Sequence, residues 1–357
     1  MDSVDAMAAA RVLDASANRA CEAVRVLEDY ARFVRNDEFV TRTLKEFRHD
    51  LSAVLAALPA TQLLAARETI QDVGTAIQTE QEGYRGSLRD IVSANAKRLQ
   101  EALRTLEEFG KLLGPGIGAK LESLRYRGYT IQRLVLLADV SHSRLAEARL
   151  YLLLSGADVK KDLEFTVREA IAGGAGIIQL REKSLSDRML LKRAREVRHW
   201  TLESRALFIV NDRPDIARLA DADGVHLGQD DVSVFDARKI VGPDALVGVS
   251  THTIDQLRTA ILDGASYVGV GPTFTSITKS FDSLAGLDFV RAATAETALP
   301  AFILGGVTTR NVCEVVAAGG RKIAVSAAVA QADDPRRAAA ELCAALTLNR
   351  PEMKNLS

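Results

Sequence analysis

The chain has 357 residues, which is enough for two domains, and its formal net charge is −1. The balance of 46 basic and 47 acidic side chains argues against nucleic acid as the main partner. The acidic N-terminus lacks the regions of a signal peptide, no window is long enough for a transmembrane helix, and the three cysteines are too widely spaced for a zinc pair. We therefore expect a cytoplasmic protein with no nucleic-acid or membrane partner, and the sequence leaves open whether it forms a homo-oligomer.

The first half of the chain has the apolar periodicity of helices. Apolar residues recur at spacings of three and four, which is typical of amphipathic helices. Four such stripes lie within residues 17–34, 40–58, 99–113 and 121–135. We predict an all-helical N-terminal domain at residues 1–138, followed by a linker at 139–147.

This helical half contains an internal sequence repeat. Residues 22–30 read EAVRVLEDY, and residues 101–109 read EALRTLEEF, at a constant offset of 79. Chance similarity between two helices built from common helix formers is one interpretation. The preserved order of Glu, Ala, Arg, Leu, Glu and an aromatic residue favours duplication, with the two helices at pseudo-equivalent places in one domain.

The period changes after about residue 147, where short β-rich runs begin to alternate with helical stretches. Eight alternating βα units over roughly 200 residues are typical of a TIM (β/α)8 barrel. A doubly wound open sheet is the competing α/β architecture, and the lack of a GxGxxG fingerprint favours the barrel. We predict the barrel at 148–348 and a tail at 349–357. The strand candidates are 150–154, 176–180, 207–211, 224–228, 246–250, 267–271, 301–304 and 323–326.

The second strand candidate ends in a polar and cationic segment, QLREK. Gln179, Arg181 and Lys183 occupy alternate positions, and alternate residues of a strand point to one face. An amide and two cations on one face suit an anionic ligand such as a diphosphate. A solvated strand end followed by a charged loop is the alternative.

Two carboxylates follow the next two strand candidates. In a barrel the active site lies at the carboxyl ends of the strands, so Asp212 and Asp231 come from adjacent strand ends. Two carboxylates suit Mg²⁺, which keeps waters or substrate phosphates as its other ligands. Asp is common in loops, but Mg²⁺ together with Lys or Arg clamps a diphosphate. We expect the neighbouring Asp230 to be exposed or to act only indirectly.

The glycine pair after the seventh strand predicts a second phosphate site. Gly305 and Gly306 fall where TIM barrels bind phosphate, and glycine lets backbone N–H groups approach phosphate oxygens. His226 lies inside a strand pattern and is expected to be packed, whereas His252 lacks a third group that would mark it as a general base. Two phosphate sites suit a transferase that joins two phosphorylated substrates and releases pyrophosphate.

The motifs QLREK, FIVNDR, GVHLGQDD, GVSTHT, VGVGPTFTSITK and GGVT, in this order, resemble the thiamine-phosphate synthase family over about residues 148–346. The resemblance implies a Mg²⁺-dependent transferase of thiamine biosynthesis. Its members join 4-amino-2-methyl-5-hydroxymethylpyrimidine diphosphate to 4-methyl-5-(2-phosphoethyl)thiazole, or to the 2-carboxylate of that thiazole, and release pyrophosphate.

The same resemblance implies three sets of site residues. The pyrimidine-diphosphate ligands would be Gln179, Arg181, Lys183, Asn211, Ser250 and Lys279, of which Arg181, Lys183 and Lys279 are the expected catalytic groups. The Mg²⁺ ligands would be Asp212 and Asp231. The thiazole-phosphate contacts would be Ser276, Thr278, Gly306, Ser326 and Ala327. Two positions depart from the family pattern: Ser276 replaces a frequent Thr and keeps its hydroxyl, while Ala327 replaces a frequent Ser and loses it.

The helical half resembles the extra domain fused in front of some bacterial members of this family, through RETIQDVGT and RDIVSANAKRLQEALRTLEEF. That domain is associated with hydroxymethylpyrimidine-phosphate kinase activity, which would make ATP a partner, although the chain has no P-loop. The candidate phosphate contacts are Arg19, Arg25, Asn95, Lys97, Arg98 and Arg104. Ion pairs with Glu22, Asp29, Glu101 and Glu108 on solvated helices are the alternative, and the sequence leaves both open.

Other functions stay open on the sequence alone. A thiazole tautomerase-like barrel and a non-catalytic thiamine-precursor binding protein are two alternatives. A different phosphate-binding barrel enzyme, such as one of tryptophan synthesis, is a third, because fold does not fix function. The retained diphosphate machinery favours the synthase; it comprises Lys183, Asp212, Asp231 and Lys279.

Overall fold

The structure, a computed structural model, describes residues 3–68, 85–204, 206–275 and 284–348. The chain divides into two compact units, Met1–Asp139 and Val140–Ser357. The loop with Ser276, Thr278 and Lys279, the tail at 349–357 and most of RETIQDVGT lie outside the described residues. Within the described ranges, no helix is both long and apolar enough to cross a membrane.

The first unit consists of helices, as the apolar stripes predict. The stripe of α2 is buried at Val40, Leu44, Phe47 and Leu51, and the side chain of Asp37 caps this helix by accepting from the backbone N–H of Val40 at 2.9 Å. The elements are α1 (Ser3–Asp29), a π-helix (Tyr30–Val34), α2 (Glu38–Leu55), α3 (Ala60–Ala65), α4 (Leu88–Gly110), a 3-10 turn (Lys111–Leu113) and α5 (Pro115–Leu145).

The residues predicted as a linker are helical as far as Leu145, because they form the last turns of α5. The polar segment with Asp139 and Ser141 suggested a break in the sequence. Both side chains are nevertheless buried, and neither glycine nor proline interrupts residues 129–145. The helical period therefore continues through the segment.

The internal sequence repeat corresponds to a repeated ion pair between Glu and Arg. Glu28 of α1 and Glu107 of α4 occupy equivalent positions, since 107 − 28 equals the offset of 79, and both are buried. Glu28 binds Arg48 of the following helix at 2.7 Å, and Glu107 binds Arg125 of the helix that follows α4. Helices α1 and α4 pack against each other. Equivalent positions with equivalent partners support the duplication hypothesis.

The second unit is a closed barrel in which each strand pairs in parallel with its neighbours in chain order, β1 with β8 included. This confirms the predicted TIM barrel and overturns the open-sheet alternative. The strands are β1 (Leu150–Leu154), β2 (Ala175–Leu180), β3 (Leu207–Asn211), β4 (Gly224–Leu227), β5 (Leu246–Thr251), β6 (Tyr267–Val270), β7 (Ala301–Leu304) and β8 (Lys322–Val325).

Helices alternate with these strands along the chain. Several begin at capping side chains, as when Thr253 accepts from the backbone N–H of Gln256 at the start of α10. They are α6 (Leu163–Ala172), α7 (Asp187–Ser204), α8 (Pro214–Leu219), α9 (Val234–Val241), α10 (Ile254–Asp263), α11 (Gly286–Glu296), α12 (Val312–Ala317), α13 (Ala327–Ala330) and α14 (Pro335–Leu348).

Lys322, at the amino end of β8, binds the segment that connects α5 to β1. Its Nζ donates to the carbonyl oxygens of Leu145 at 2.6 Å, Ala146 at 3.1 Å and Ala148 at 2.8 Å. Carbonyls at a helix C-terminus lack intrahelical donors, and a cation satisfies them well. Burial, followed by the charge of Arg149, lowers the pKa of Lys322 to about 8.

Candidate active site

A cavity of about 860 Å³ opens at the carboxyl ends of the barrel strands. The fold brings ten of the predicted site residues to its lining, while their roles as ligands stay predictions. These ten are Gln179, Arg181, Lys183, Asn211, Asp212, Asp231, Ser250, Gly306, Ser326 and Ala327. Ser276, Thr278 and Lys279 belong to the undescribed loop after β6.

Glu182, which lies between the two cations of QLREK, has a structural role that the motif search missed. Its side chain is only 3% exposed, and Oε1 accepts from Arg193 Nη1 and from the backbone N–H of Gly156, both at 2.7 Å. A Cβ atom at Gly156 would lie 2.2 Å from Arg193 Nη1, so a side chain here would displace the guanidinium from Glu182. Glu182 therefore joins the end of β2 to the loop after β1 and to α7.

Asp212 and Asp231 form a like-charged pair at the cavity wall. Asp212 has a φ of 63°, in the left-handed region that Asp tolerates better than most residues, and its backbone N–H donates to the carbonyl of His226 at 2.8 Å. Asp231 Oδ2 accepts from the backbone N–H of Gly228 at 2.6 Å. Burial raises the pKa of Asp212, and Asp231 raises it further, while Lys183 and Arg181 oppose the rise.

This pair fits Mg²⁺ better than it fits a metal caged entirely by protein. Within the described ranges, no group of three or more His, Cys, Asp or Glu side chains is placed to hold a metal ion. Mg²⁺ is commonly bound by one or two carboxylates and completed by water and substrate phosphates. A cation between Asp212 and Asp231 would relieve the repulsion that raises the pKa of Asp212. Asp230, the residue next to Asp231, is exposed, as expected, and has no carboxylate beside it like that of the Asp212–Asp231 pair among the described residues.

The turn after β7 forms the opposite part of the cavity. Gly305 and Gly306 have φ values of 93° and 64°, and a Cβ atom at Gly306 would lie 2.2 Å from the carbonyl oxygen of Thr275. Only glycine fits this backbone without strain. Asn311, which sequence reasoning missed, donates from Nδ2 to the carbonyl of Gly306 at 2.9 Å and holds the turn.

A chain of hydrogen bonds crosses the barrel at the floor of the cavity. Gln179 Nε2 donates to Tyr151 OH at 2.6 Å, and this hydroxyl lies 2.9 Å from Tyr267 OH. Tyr267 OH lies 3.3 Å from Nδ1 of His226, whose Nε2 lies 2.9 Å from Ser250 Oγ. The packed state expected of His226 is confirmed, because it is buried and burial lowers its pKa to about 4. The motif search missed both tyrosines, which occupy apolar strand positions.

His252 reaches the cavity but is held by the backbone. Its Nδ1 lies 2.6 Å from the carbonyl oxygen of Gly271, which can only accept, so Nδ1 carries the proton. Its backbone N–H donates to Gln256 Oε1 at 2.8 Å. No carboxylate among its described contacts would assist it as a base, in agreement with the sequence analysis.

The candidate phosphate contacts of the helical unit fall into two groups. Lys97 pairs with Glu101 at 3.8 Å and Arg104 pairs with Glu108 at 2.8 Å, which favours the ion-pair interpretation for these two. Asn95 donates to the carbonyl of Ile91 within its own helix. Among these candidates, three exposed cations have no ion-pair partner within the described residues: Arg19, Arg25 and Arg98.

Comparisons with known proteins agree with this arrangement. A family model described as thiamine monophosphate synthase matches residues 150–329. A thiamine-phosphate synthase of Rhodopirellula baltica is 40% identical over 342 residues, which cover 93% of this chain and 91% of the relative. The chain belongs to the thiamine-phosphate synthase family. It is therefore a transferase of thiamine biosynthesis.

Other members of the thiamine-phosphate synthase family extend this likeness. A thiamine-phosphate synthase of Synechocystis is 38% identical over 351 residues, covering 98% of this chain and all of the relative. The solved structure of a thiamine phosphate pyrophosphorylase from Pyrococcus furiosus is 33% identical, with a TM-score of 0.52. The match covers 57% of this chain and 96% of the Pyrococcus chain. A second model, described as the ThiD2 family, matches residues 11–134. The ThiD2 match therefore covers most of the helical unit.

Proposed function

We propose that the barrel condenses 4-amino-2-methyl-5-hydroxymethylpyrimidine diphosphate with 4-methyl-5-(2-phosphoethyl)thiazole to give thiamine phosphate and pyrophosphate. When the 2-carboxylate of that thiazole is the second substrate, carbon dioxide is released as well. The observation that carries the proposal is the meeting of two opposite charge sets in one cavity. Lys183 and Arg181 lie close enough to Asp212 to affect its pKa, and Asp231 adjoins it. Cations beside a Mg²⁺-type carboxylate pair suit a diphosphate that must leave.

The residues divide the chemistry between them. Asp212 and Asp231 would hold the metal, and bound Mg²⁺ supplies positive charge that stabilises the departing diphosphate. Arg181 and Lys183 bind the diphosphate oxygens, and their charge becomes more favourable as negative charge develops there. The bond between the pyrimidine methylene carbon and the diphosphate oxygen breaks, and its electron pair leaves with pyrophosphate. The thiazole nitrogen then forms the new carbon–nitrogen bond.

This reaction does not need a general base. The attacking thiazole nitrogen uses a lone pair and has no proton to lose, so the buried, neutral His226 and the backbone-bound His252 need not accept one. The thiazole phosphate would bind at the turn of Gly305 and Gly306, near Ser326 and Ala327. At Ala327 only the backbone N–H is left to donate.

The test is an assay of the purified full-length protein with both substrates, in which thiamine phosphate and pyrophosphate are measured as the Mg²⁺ concentration is varied. We expect turnover that requires Mg²⁺, and a large loss of turnover in Asp212→Asn. The matched control is Asp230→Asn, which removes the exposed neighbouring carboxylate and should keep the wild-type Mg²⁺ requirement. Equal effects of both substitutions would contradict the metal assignment, and no product from the wild type would contradict the synthase.

We also propose that the helical unit phosphorylates the pyrimidine monophosphate with ATP. The observation that favours this second activity is the ThiD2 match together with the unpaired exposed Arg19, Arg25 and Arg98 of the described residues. Product from pyrimidine monophosphate, ATP and thiazole phosphate would support it. Product from the pyrimidine diphosphate, with none from the pyrimidine monophosphate and ATP, would assign the unit another role. The cytoplasmic location and the oligomeric state stay predictions.

A further inference from the structure

The hydrogen-bond chain at the floor of the cavity joins two residues expected to contact substrate through three others that also border the cavity. Its ends, Gln179 and Ser250, come from β2 and β5, while its middle members, Tyr151, Tyr267 and His226, come from β1, β6 and β4. The two tyrosines are 1% and 0% exposed. Water therefore does not supply alternative partners to these two hydroxyl groups, and each must use its single proton within the chain.

Counting protons fixes the direction of this chain. The amide nitrogen of Gln179 can only donate, so Tyr151 accepts from it and gives its own proton to Tyr267. Tyr267 then gives its proton to Nδ1 of His226. A neutral imidazole with an accepting Nδ1 carries its proton on Nε2, which donates to Ser250 Oγ.

The direction determines what each end offers to a ligand. Ser250 Oγ already accepts from His226, so its own proton is available to be donated into the cavity. At the other end, the carbonyl oxygen of the Gln179 amide is available to accept. The cavity therefore presents an acceptor at Gln179 and a donor at Ser250, in fixed positions. Reversal of the chain would exchange the donor and acceptor roles.

We propose that Tyr151, Tyr267 and His226 are positioning residues: their directional hydrogen-bond chain holds His226 as the Nε2–H tautomer and makes Ser250 a hydrogen-bond donor toward the substrate. The assignment of this substrate as the pyrimidine diphosphate rests on the proposed function. The tautomer and the direction of the chain do not depend on it. All five residues border the cavity; Gln179 and Ser250 are the ones expected to bind the substrate, and the three middle residues set the proton positions at these two ends.

The first experiment reads the tautomer directly in the free, full-length protein. The protein is labelled with ¹⁵N at its five histidines, and the His226 signals are assigned by their absence from His226→Gln. We expect the side-chain nitrogen spectrum of an Nε2–H imidazole. A dominant Nδ1–H form would overturn the proposal, whatever the enzyme's activity.

The second experiment interrupts the chain without changing its packing. Tyr267→Phe removes the donor to Nδ1, so we expect both tautomers of His226 and a rise in KM for the pyrimidine diphosphate of about 2- to 10-fold with little change in kcat. The matched control is Phe302→Leu, which alters a ring in edge contact with both tyrosines and leaves every hydroxyl in place. It should keep the Nε2–H tautomer.

The outcomes separate the proposal from the assigned function. An unchanged tautomer in Tyr267→Phe, or an equal loss of tautomer preference in Phe302→Leu, would overturn the directional chain. If both proteins behave as expected in the spectrum but the wild type makes no thiamine phosphate, the chain stands and the proposed function fails. If KM is unchanged while the tautomer is lost, the positioning role is refuted.

Discussion

The buried charge of Glu182 gives a prediction that separates structure from catalysis. The substitution Glu182→Gln keeps the shape and one oxygen acceptor for the N–H of Gly156, but removes the charge that binds Arg193. The Glu182 side chain is almost fully buried, whereas the Arg193 side chain is 30% exposed and can turn toward water.

The size of the effect follows from this asymmetry. Breaking a fully buried pair costs about 3–5 kcal/mol, and a hydrogen bond to a charged group contributes about 1.5–3 kcal/mol. Because Arg193 regains solvent, we expect a loss of about 2 kcal/mol in the free energy of unfolding, which lowers the Tm of a unit of this size by roughly 4–8 °C. The exposed pair of Glu164 with Arg168, at 2.8 Å, provides a matched control, since Glu164→Gln should cost about 0.5 kcal/mol or less.

The assay is thermal unfolding of the wild type and both variants at one pH and salt concentration, followed by steady-state kinetics at a temperature where all three are folded. We expect Glu182→Gln to lower kcat/KM for the pyrimidine diphosphate as well, because Glu182 fixes the segment that carries Arg181 and Lys183. Similar Tm shifts in the two variants would refute the energetic reasoning. A lower Tm with unchanged kinetics would refute the link to the cations.

Two further substitutions test other parts of the barrel. In Gly306→Ala the new Cβ would meet the carbonyl oxygen of Thr275, so we expect KM for the thiazole phosphate to rise about tenfold or more with KM for the pyrimidine diphosphate unchanged. The control is Gly242→Ala, at a φ of 95° with open space around it, which adds only backbone strain of about 1–3 kcal/mol. Lys322 binds its proton less tightly in the folded than in the unfolded state, so the unfolded state carries more protons between pH values of about 8 and 10.5, and stability should rise with pH across this window. Chemical denaturation should show this rise relative to Lys322→Met, and parallel pH profiles would contradict it.

The sequence predicted the barrel well because strand and helix periods leave local signals. Short apolar runs of alternating βα units placed every strand within about two residues of its observed ends. Arg181 and Lys183 both line the cavity, as the QLREK motif predicted, although β2 ends at Leu180 and both cations lie beyond it. The helical stripe predicted the buried face of α2. These features depend on residues that are near each other in the chain.

The missed features depend on partners that are far apart in the chain. Tyr151 and Tyr267, separated by 116 residues, look like ordinary apolar strand positions, and only the closed barrel brings their hydroxyls together. Glu182 looks like one charge among several until Arg193 and Gly156 enclose it. The helical conformation of the segment at Asp139 was likewise not predicted, because the sequence does not show that its carboxylate accepts a hydrogen bond from Tyr30 and pairs with Arg35 within the helical unit.

The duplicated pairs of Glu28 with Arg48 and Glu107 with Arg125 restrict how this helical unit can evolve. Loss of Arg48 would leave the buried carboxylate of Glu28 without an ion-pair partner among the described residues, whereas Glu107 would keep Arg104 at 2.9 Å after loss of Arg125. Joint replacement of Glu28 and Arg48 by apolar residues can be nearly neutral, so this pair should persist or disappear as a unit among descendants. The second pair can lose its arginine alone. Under the duplication hypothesis, two copies that began as interchangeable have thus come under unequal constraint.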